Sequence, residues 1–190
     1  MTGIKKVIKT SRPNWDETFM MLALTLAKRA ACKYHEIASV FVDEDHKIIA
    51  TGYNGPTRGD VHCLEVGCAK VDGDPVTKKL KRCRGAHSEI NAIMNAGNPA
   101  KLKGSTLYVT GSPCYDCMKS LNNVGVKRIV FFEEYKRMAA GNGAEEVELD
   151  EVAELCQRSG IALTKFEGDM SHFESILNKD KNISSSCSTC

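Results

Sequence analysis

The sequence predicts an α/β protein with three layers, in which helices flank a mixed sheet of about five strands. Two strand-like apolar runs, residues 37–42 and 47–51, are joined by four polar residues, which predicts an opening antiparallel hairpin. After this hairpin, apolar strand-like runs alternate with helical ones, as in β-α-β units with parallel strands. The 190 residues, 42% of them hydrophobic, suit a single compact domain with a sizeable core.

The first helix is predicted to follow Asn14. Asn14 and Glu17 have the spacing of a reciprocal capping box at a helix start. Apolar residues then recur at the spacing of a helix face that packs on a core: Trp15, Phe19, Leu22, Ala23, Leu26, Ala27 and Ala30. Cys32 is expected at the end of this helix.

The later elements follow the same alternation. The pattern predicts a helix over 86–96, a strand over 106–110, a helix from 114 to about 123, a strand over 126–132, a helix over 147–159 and a final strand over 161–166. We therefore expect one domain over 14–170. A flexible basic arm, 1–13, precedes it, and a polar, disordered tail, 171–190, follows it. Residues 57–84 form a long cysteine-bearing insert, which indicates a functional or metal-stabilised loop.

Composition limits the classes of partner. Lys and Arg total 26 and Asp and Glu total 24, so the formal net charge of +2 predicts no broad basic face and no stable nucleic-acid partner. Neither a secretory signal nor a membrane-length apolar run is visible, so a cytoplasmic protein is expected. In a reducing compartment, nine cysteines, an odd number, indicate metal binding or chemistry rather than a disulfide framework.

Two short motifs carry the chemistry: His87-Ser-Glu89 and Pro113-Cys-Tyr-Asp-Cys117. This H-x-E and P-C-x-x-C pattern is typical of zinc nucleobase deaminases. One imidazole and two thiolates, from His87, Cys114 and Cys117, leave the fourth tetrahedral position of a zinc ion to water, as in a catalytic site. Glu89 would act as the proton shuttle and not as a ligand. The alternative is a closed structural zinc site, beside which Glu89 is merely solvated.

With these motifs placed, residues 15–135 resemble the deoxycytidylate deaminase branch of the cytidine deaminase superfamily. The resemblance rests on the segments Gly52–Gly55, Arg58–Gly59, Val61–Cys63, His87–Ala92 and Tyr108–Cys114. Two departures are visible. The family's usual H-A-E is H-S-E here, and the proline of Asn54–Gly59 stands one residue earlier than is usual. The first leaves the chemistry intact, whereas the second blurs the prediction of phosphate contacts.

The resemblance implies a cytidine-deaminase-like fold and the hydrolysis of dCMP to dUMP, a precursor for thymidylate synthesis. It also implies a homo-oligomer, often a hexamer, that dCTP activates and dTTP inhibits. Asn54 would bind the sugar 3′-hydroxyl, the main chain of Ala86 and Ser112 would hold the base edge, and Tyr135 would line the pocket. The alternatives are that Asn54 is an ordinary turn residue and that Tyr135 is a packing aromatic.

The 5′-phosphate could pair with basic residues beside these segments, of which Arg58, Lys136 and Arg137 are the candidates. Loop cations are usually only solvated.

A second zinc is the other metal prediction. Four further cysteines, Cys32, Cys63, Cys68 and Cys83, surround the insert and could form an all-thiolate structural site, with neighbouring His62 able to replace one of them. Related deaminases with such an insert carry an extra zinc at similar positions. The alternative is a set of free thiols, with Cys32 buried as a small hydrophobic residue.

Other readings of the same motifs remain open. The substrate could be dCTP instead of dCMP, or adenosine in tRNA, although a tRNA enzyme should carry more positive charge. A non-enzymatic alternative is a zinc-stabilised interaction module. Glu89 argues against that module, because a structural zinc site has no use for the carboxylate.

Overall fold

The computed structural model describes residues 12–74, 76–138, 145–146 and 149–173. Almost all of the predicted arm 1–13 and tail 171–190, including Cys187 and Cys190, therefore lies outside the described residues. Within the described part of the chain, no helix has the length and apolar character needed to cross a membrane.

The first helix, α1, spans Trp15–Ala27, and both bonds of the predicted capping box are present. Two of the side chains predicted to face the core do not: Trp15 is 47% exposed and Leu22 is 42% exposed. Trp15 instead stacks on His46, with ring centroids 4.4 Å apart. The prediction that Cys32 ends the helix was also wrong. The helix stops at Ala27, and Cys32 lies in the turn-rich connection that follows.

The predicted hairpin is confirmed. Strand β1 (Ala38–Val42) pairs antiparallel with β2 (Ile48–Tyr53), which places Ser39 opposite Gly52. The chain then makes a short strand β3 (Gly55–Pro56), which pairs antiparallel with β4 (Gly85–Ala86). This small ribbon joins the two ends of the insert and lies directly before the H-x-E motif.

The insert itself is mostly turns, with one short helix, α2 (Cys63–Val66). Asp72 fastens it to the connection after α1. The carboxylate accepts hydrogen bonds from the Tyr34 hydroxyl at 2.6 Å, the Cys68 N–H at 2.8 Å and the Lys33 ammonium at 3.0 Å. These donors, Tyr34 foremost, lower the pKa of Asp72 to about 2. The insert is therefore tied to the segment that carries Cys32.

The rest of the chain alternates as predicted. It forms α3 (Ser88–Asn95), a 3₁₀ turn (Pro99–Leu102), β5 (Thr106–Gly111), α4 (Tyr115–Asn123), β6 (Arg128–Glu133), a ribbon of β7 (Arg137–Met138) and β8 (Glu145–Glu146), α5 (Leu149–Ser159), β9 (Ala162–Lys165) and a 3₁₀ turn (Ser171–Phe173). The main sheet has the order β2-β1-β5-β6-β9. Strand β1 is antiparallel to both of its neighbours, whereas β5, β6 and β9 are parallel.

Helices cover both faces of this sheet, as predicted. Because side chains alternate along a strand, Val40 and Val42 of β1 face α1, whereas Phe41 faces the opposite layer. One cluster holds the α1 layer: Phe19, Met20, Ala23, Val40, Val42, Tyr108 and Val130. The larger cluster lies under α3, α4 and α5 and includes Ala92, Met118, Leu121, Val152 and Cys156. The predicted three-layer α/β fold with a mixed five-stranded sheet is thus confirmed.

Candidate active site

The H-x-E motif lies at the start of α3. His87 is the N-cap residue, with φ −74° and ψ 155°, and makes no side-chain capping bond to the helix. Helix α3 reaches this position because it packs closely on β2 at Gly52. A Cβ at Gly52 would lie 2.4 Å from both the Ala92 nitrogen and the Ser88 oxygen, so a larger residue would push the helix away.

The P-C-x-x-C motif occupies the start of α4, on the same side of the sheet. Cys114 is the N-cap residue and Cys117 lies in the first turn, and both side chains are buried. Unpaired N–H groups and the positive end of the helix dipole favour thiolates at such a position. The hydrogen bond between Cys114 and Cys117 is the largest influence on both groups: it lowers the pKa of Cys114 and raises that of Cys117, so Cys114 is the one of the two that ionises first.

The three predicted ligands converge. The Nδ1 atom of His87 lies 3.4 Å from Cys114 Sγ and 3.3 Å from Cys117 Sγ. Tetrahedral zinc, with bonds of about 2.3 Å to sulfur and about 2.0–2.1 Å to nitrogen, separates such atoms by roughly 3.6 Å. Within the described residues, this trio is the one group of three whose ligand atoms all lie within 4.8 Å of one another. The donor set and its spacing therefore fit a zinc ion with an open fourth position.

Glu89 lies beside this trio and is 3% exposed. Its carboxylate accepts a hydrogen bond of 2.9 Å from the Ser88 hydroxyl. Burial is the dominant influence and raises the pKa of Glu89 above its ordinary value. A carboxyl group whose pKa is raised towards neutrality can both accept and return a proton, which is what a shuttle requires.

A pocket opens onto these groups. Its lining includes His87, Glu89 and four of the predicted substrate contacts, Asn54, Ala86, Ser112 and Tyr135. The structure thus brings these residues together. Arg58 does not line this pocket and is exposed, as is Lys136, whereas the side chain of Arg137 lies outside the described part of the structure.

Main-chain bonds fix two of the polar pocket residues. The Asn54 amide accepts the Ile37 N–H at 2.9 Å and donates to the His35 carbonyl at 3.0 Å. One donor hydrogen and further acceptor capacity remain on the amide after these two bonds. The Ser112 hydroxyl accepts the Tyr135 N–H at 2.8 Å, which holds Tyr135 at the pocket wall.

Cys32, Cys63, Cys68 and Cys83 all line this same pocket. Burial raises the pKa of Cys63, and the Arg84 side chain, through a hydrogen bond to its sulfur, acts in the opposite direction. The four sulfurs lie farther apart than the catalytic trio, because no set of three among the described residues other than that trio meets the 4.8 Å separation. In the described structure, the four cysteines therefore line one pocket, but no three of them form a cluster as tight as the trio.

Sequence reasoning missed three residues of this region. His35 and Ile37 line the pocket, and the His35 ring meets Tyr135 edge-on at a centroid distance of 5.2 Å. Ser39 lies behind Glu89, with its hydroxyl 2.8 Å from that of Ser88. None of these residues belongs to a motif, and only their position at the start of β1 could have drawn attention to them.

Comparison with known proteins agrees with this geometry. The deoxycytidylate deaminase of Schizosaccharomyces pombe is 31% identical over 156 residues, which cover 82% of this chain but only 45% of the relative. The chain thus spans under half the length of that relative. The deoxycytidylate deaminase of Mycobacterium phage D29 is 34% identical over 128 residues, 65% of this chain and 98% of the relative.

A solved structure shares the fold. The dCMP deaminase from the cyanophage S-TIM5, in complex with dCMP and dUMP, superimposes with a TM-score of 0.62 at 23% identity, over 82% of this chain and 99% of that one. The Cytidine and deoxycytidylate deaminase zinc-binding region matches residues 13–133, which include both motifs. This chain therefore belongs to the zinc-binding cytidine and deoxycytidylate deaminase family, and His87, Cys114 and Cys117 are its zinc-binding triad.

Proposed function

We propose that this chain catalyses the zinc-dependent hydrolytic deamination of dCMP to dUMP, with release of ammonia. The observation that carries the proposal is the buried Glu89, which lines the same pocket as His87 of the zinc-binding triad. A structural metal site would have no need of this carboxylate. The two relatives described above, both deoxycytidylate deaminases, support dCMP as the substrate.

The residues present divide the reaction between them. A zinc ion held by His87, Cys114 and Cys117 supplies Lewis acidity, which lowers the pKa of a water molecule towards neutrality. Glu89 takes a proton from the attacking water and delivers it to the ring nitrogen beside the amino-bearing carbon of cytosine. The water oxygen forms a bond to that carbon. Glu89 then takes the remaining proton from the added hydroxyl and passes it to the amino group, so the C–N bond breaks, ammonia leaves and the added oxygen becomes the carbonyl of uracil.

The pocket wall would hold the nucleotide for this transfer. We propose that Asn54 binds the 3′-hydroxyl with the hydrogen-bonding capacity that its main-chain bonds leave over. The Ser112 N–H already donates to the Glu133 carbonyl at 2.8 Å, so the Ser112 carbonyl is the main-chain group that we assign to the base, together with Ala86. Tyr135 would close the pocket beside the base. Arg58 remains the proposed phosphate contact, because its turn directly follows β3 at the pocket edge.

Three further features belong to the proposal. Cys32, Cys63, Cys68 and Cys83, which line the same pocket, would hold a second, structural zinc that would draw their sulfurs together. The family resemblance supports a homo-oligomer and control by dCTP and dTTP.

The first experiment compares dCMP, dCTP, deoxycytidine and CMP as substrates of the zinc-loaded protein, with ammonia release and the loss of cytosine absorbance as readouts. Each substrate is tested with and without dCTP or dTTP as effector. Preferential turnover of dCMP is expected. Faster turnover of dCTP would move the function to the triphosphate, and no turnover of any cytosine compound would refute the proposal.

A further inference from the structure

Two serines form a buried chain behind Glu89. Ser39 lies in β1 and Ser88 is the first residue of α3, and neither has measurable exposed surface. Their hydroxyl oxygens are 2.8 Å apart. The Ser88 hydroxyl also lies 2.9 Å from Glu89 Oε2, to which it donates. The central sheet is thus connected to the proposed proton shuttle through two side chains.

The direction of these bonds follows from the number of hydrogens. A hydroxyl has one hydrogen to donate, and an ionised carboxylate only accepts. While Glu89 is ionised and Ser88 donates to it, the hydrogen between the two serines comes from Ser39. The chain therefore runs from Ser39 through Ser88 to Glu89, and each donor is fixed by the next acceptor.

The surrounding backbone makes this chain geometrically possible. Ser39 lies opposite Gly52 in the β1–β2 ladder. Because Gly52 has no side chain, the first turn of α3 approaches the sheet so closely that a Cβ there would be 2.4 Å from the Ser88 carbonyl oxygen. Ser88 thereby comes within hydrogen-bond distance of a side chain 49 residues earlier in the chain.

We propose that in this chain, where Ser88 replaces the alanine usual in the family, Ser39 and Ser88 are positioning residues that restrict the Glu89 carboxylate to one orientation during proton transfer. The bond to Oε2 occupies one carboxylate oxygen and restricts rotation of the group about its last bond. Neither serine belongs to the zinc-binding triad. Ser88 lines the pocket, but its hydroxyl is bonded to Ser39 and Glu89, and Ser39 does not line the pocket. Their loss should therefore affect the chemical step more than substrate binding or metal content. This inference rests on the proposed deaminase function.

The test uses the zinc-loaded full chain and the variants Ser88→Ala, Ser39→Ala and the double variant. Ser88→Ala is expected to lower kcat about 10-fold, the effect of one lost hydrogen bond to a charged group, with KM and the zinc-to-protein ratio unchanged. The Ser39→Ala effect should be smaller. The double variant should be no slower than Ser88→Ala alone, because the two serines act in series.

Ser105→Ala is the matched control. Ser105 is also a buried serine, 1% exposed, and its hydroxyl donates to the Leu102 carbonyl at 2.6 Å, but it does not line the pocket. Its removal should change stability but not kcat. A Ser88→Ala variant with unchanged kcat would overturn the proposal, as would a rise in KM or a loss of zinc that accounts for the whole effect.

Crystal structures of the wild type and of Ser88→Ala separate this inference from the proposed function. The Glu89 carboxylate should have one orientation in the wild type and more than one in the variant. If the wild type turned over no cytosine nucleotide, the proposed function would fail, yet the carboxylate orientation would still decide the positioning role. A single, unchanged orientation in the variant would refute that role.

Discussion

In a regular helix, residues two positions apart point about 200° away from each other, yet His87 and Glu89 line the same pocket. His87 has an extended backbone, with ψ 155°, so its side chain does not follow the helical repeat, whereas Glu89 is the second residue inside α3. One helix start can therefore supply both a metal ligand and a proton shuttle. The same arrangement recurs at α4, where Cys114 is the N-cap residue and Cys117 lies one turn on.

Replacing Glu89 by glutamine tests the shuttle with little change in shape. Glu89→Gln cannot take up a proton, so turnover of dCMP should fall by roughly 10²–10⁴-fold while the zinc-to-protein ratio stays constant. The readouts are dUMP formation and metal analysis. Glu154→Gln, at a side chain of α5 that is 70% exposed, should leave both unchanged. If Glu89→Gln kept wild-type turnover, another group would have to move the proton.

At the residue scale, the sequence predicts what lies inside a motif. The spacing of His87, Glu89, Cys114 and Cys117 was sufficient to predict the zinc site. Ser39 could not be predicted, because its contact with Ser88 spans 49 positions and depends on how closely α3 approaches the sheet. Arg58, chosen for its charge and its resemblance to the family pattern, lies outside the pocket lining and stays a prediction.

The close packing of helix α3 against strand β2 depends on Gly52, which has no side chain to separate the two elements. Gly52→Ala would place a Cβ 2.4 Å from two backbone atoms of the helix, which cannot yield as a flexible side chain can. We expect a loss of about 1–3 kcal/mol in the free energy of unfolding, as for other overpacked cores. Activity should fall with it, because His87 and Glu89 move with the helix. Urea unfolding and dCMP turnover measure the two effects.

Gly55→Ala provides the comparison for that variant. A Cβ at Gly55 would meet nothing closer than the Ala31 side chain at 3.6 Å, which is ordinary contact. Its cost should stay below about 1 kcal/mol. Equal destabilisation by the two substitutions would show that loss of glycine flexibility, and not crowding of α3, explains the result.

Helix α1 is tied to the parallel part of the sheet by Asp16. Its carboxylate accepts hydrogen bonds from Arg128 of β6 at 2.8 Å and from the Tyr108 hydroxyl of β5 at 2.7 Å. The Arg128 bond is the main reason why the pKa of Asp16 lies below its ordinary value of 3.8. A carboxyl group with a lowered pKa in the folded state stabilises the protein above pH 3.8, and this contribution is lost as the pH falls through the folded value.

Asp16→Asn should therefore cost about 1 kcal/mol of unfolding free energy near pH 7, a modest value because both charged side chains are one-third exposed. The difference in unfolding free energy from the wild type should narrow as the pH falls below 3.8, which urea titrations at a series of pH values would show. Asp45→Asn serves as the control, since the Asp45 side chain is 76% exposed and its ion pair with Lys47 should contribute little. A difference that did not depend on pH would contradict the assigned role.

At the element scale, local sequence patterns predicted the positions of helices and strands well, but they did not predict how these elements pack against one another. The capping box fixed the start of α1 because Asn14 and Glu17 satisfy its first N–H groups without help from the rest of the fold. Apolar spacing alone placed Trp15 and Leu22 in the core, but the buried stripe runs through Phe19, Met20 and Ala23. The helical repeat predicts how often a buried residue recurs along the helix. Contact with the sheet determines which neighbouring side chains are buried as well.

Across the whole molecule, the site is assembled from segments that are distant in sequence. Helices α3 and α4 supply the metal ligands from one side of the sheet, and the connection before β1 and the insert close the pocket. Asp72 links these last two segments through Tyr34 and Lys33. The sequence indicated that the insert has a function but not which part of the pocket it forms. The insert is mostly turns, and turns have no periodic pattern from which their position in the fold could be predicted.

The proposed structural zinc predicts a second metal equivalent for each chain. Cys63 is 4% exposed and lines the pocket together with Cys32, Cys68 and Cys83. Cys63→Ser should therefore lower the zinc content from about two to about one per chain and reduce the melting temperature. Cys156→Ser is the matched control, because Cys156 is equally buried, at 2%, but its sulfur contacts Met118 in the core under α5. That variant should lose stability and keep both zinc ions. Metal analysis could instead find one zinc in the wild type, or no difference between the two variants. Either result would show that the four cysteines are free thiols. Hydrogen bonds such as those of Asp72 would then hold the insert in place without a metal.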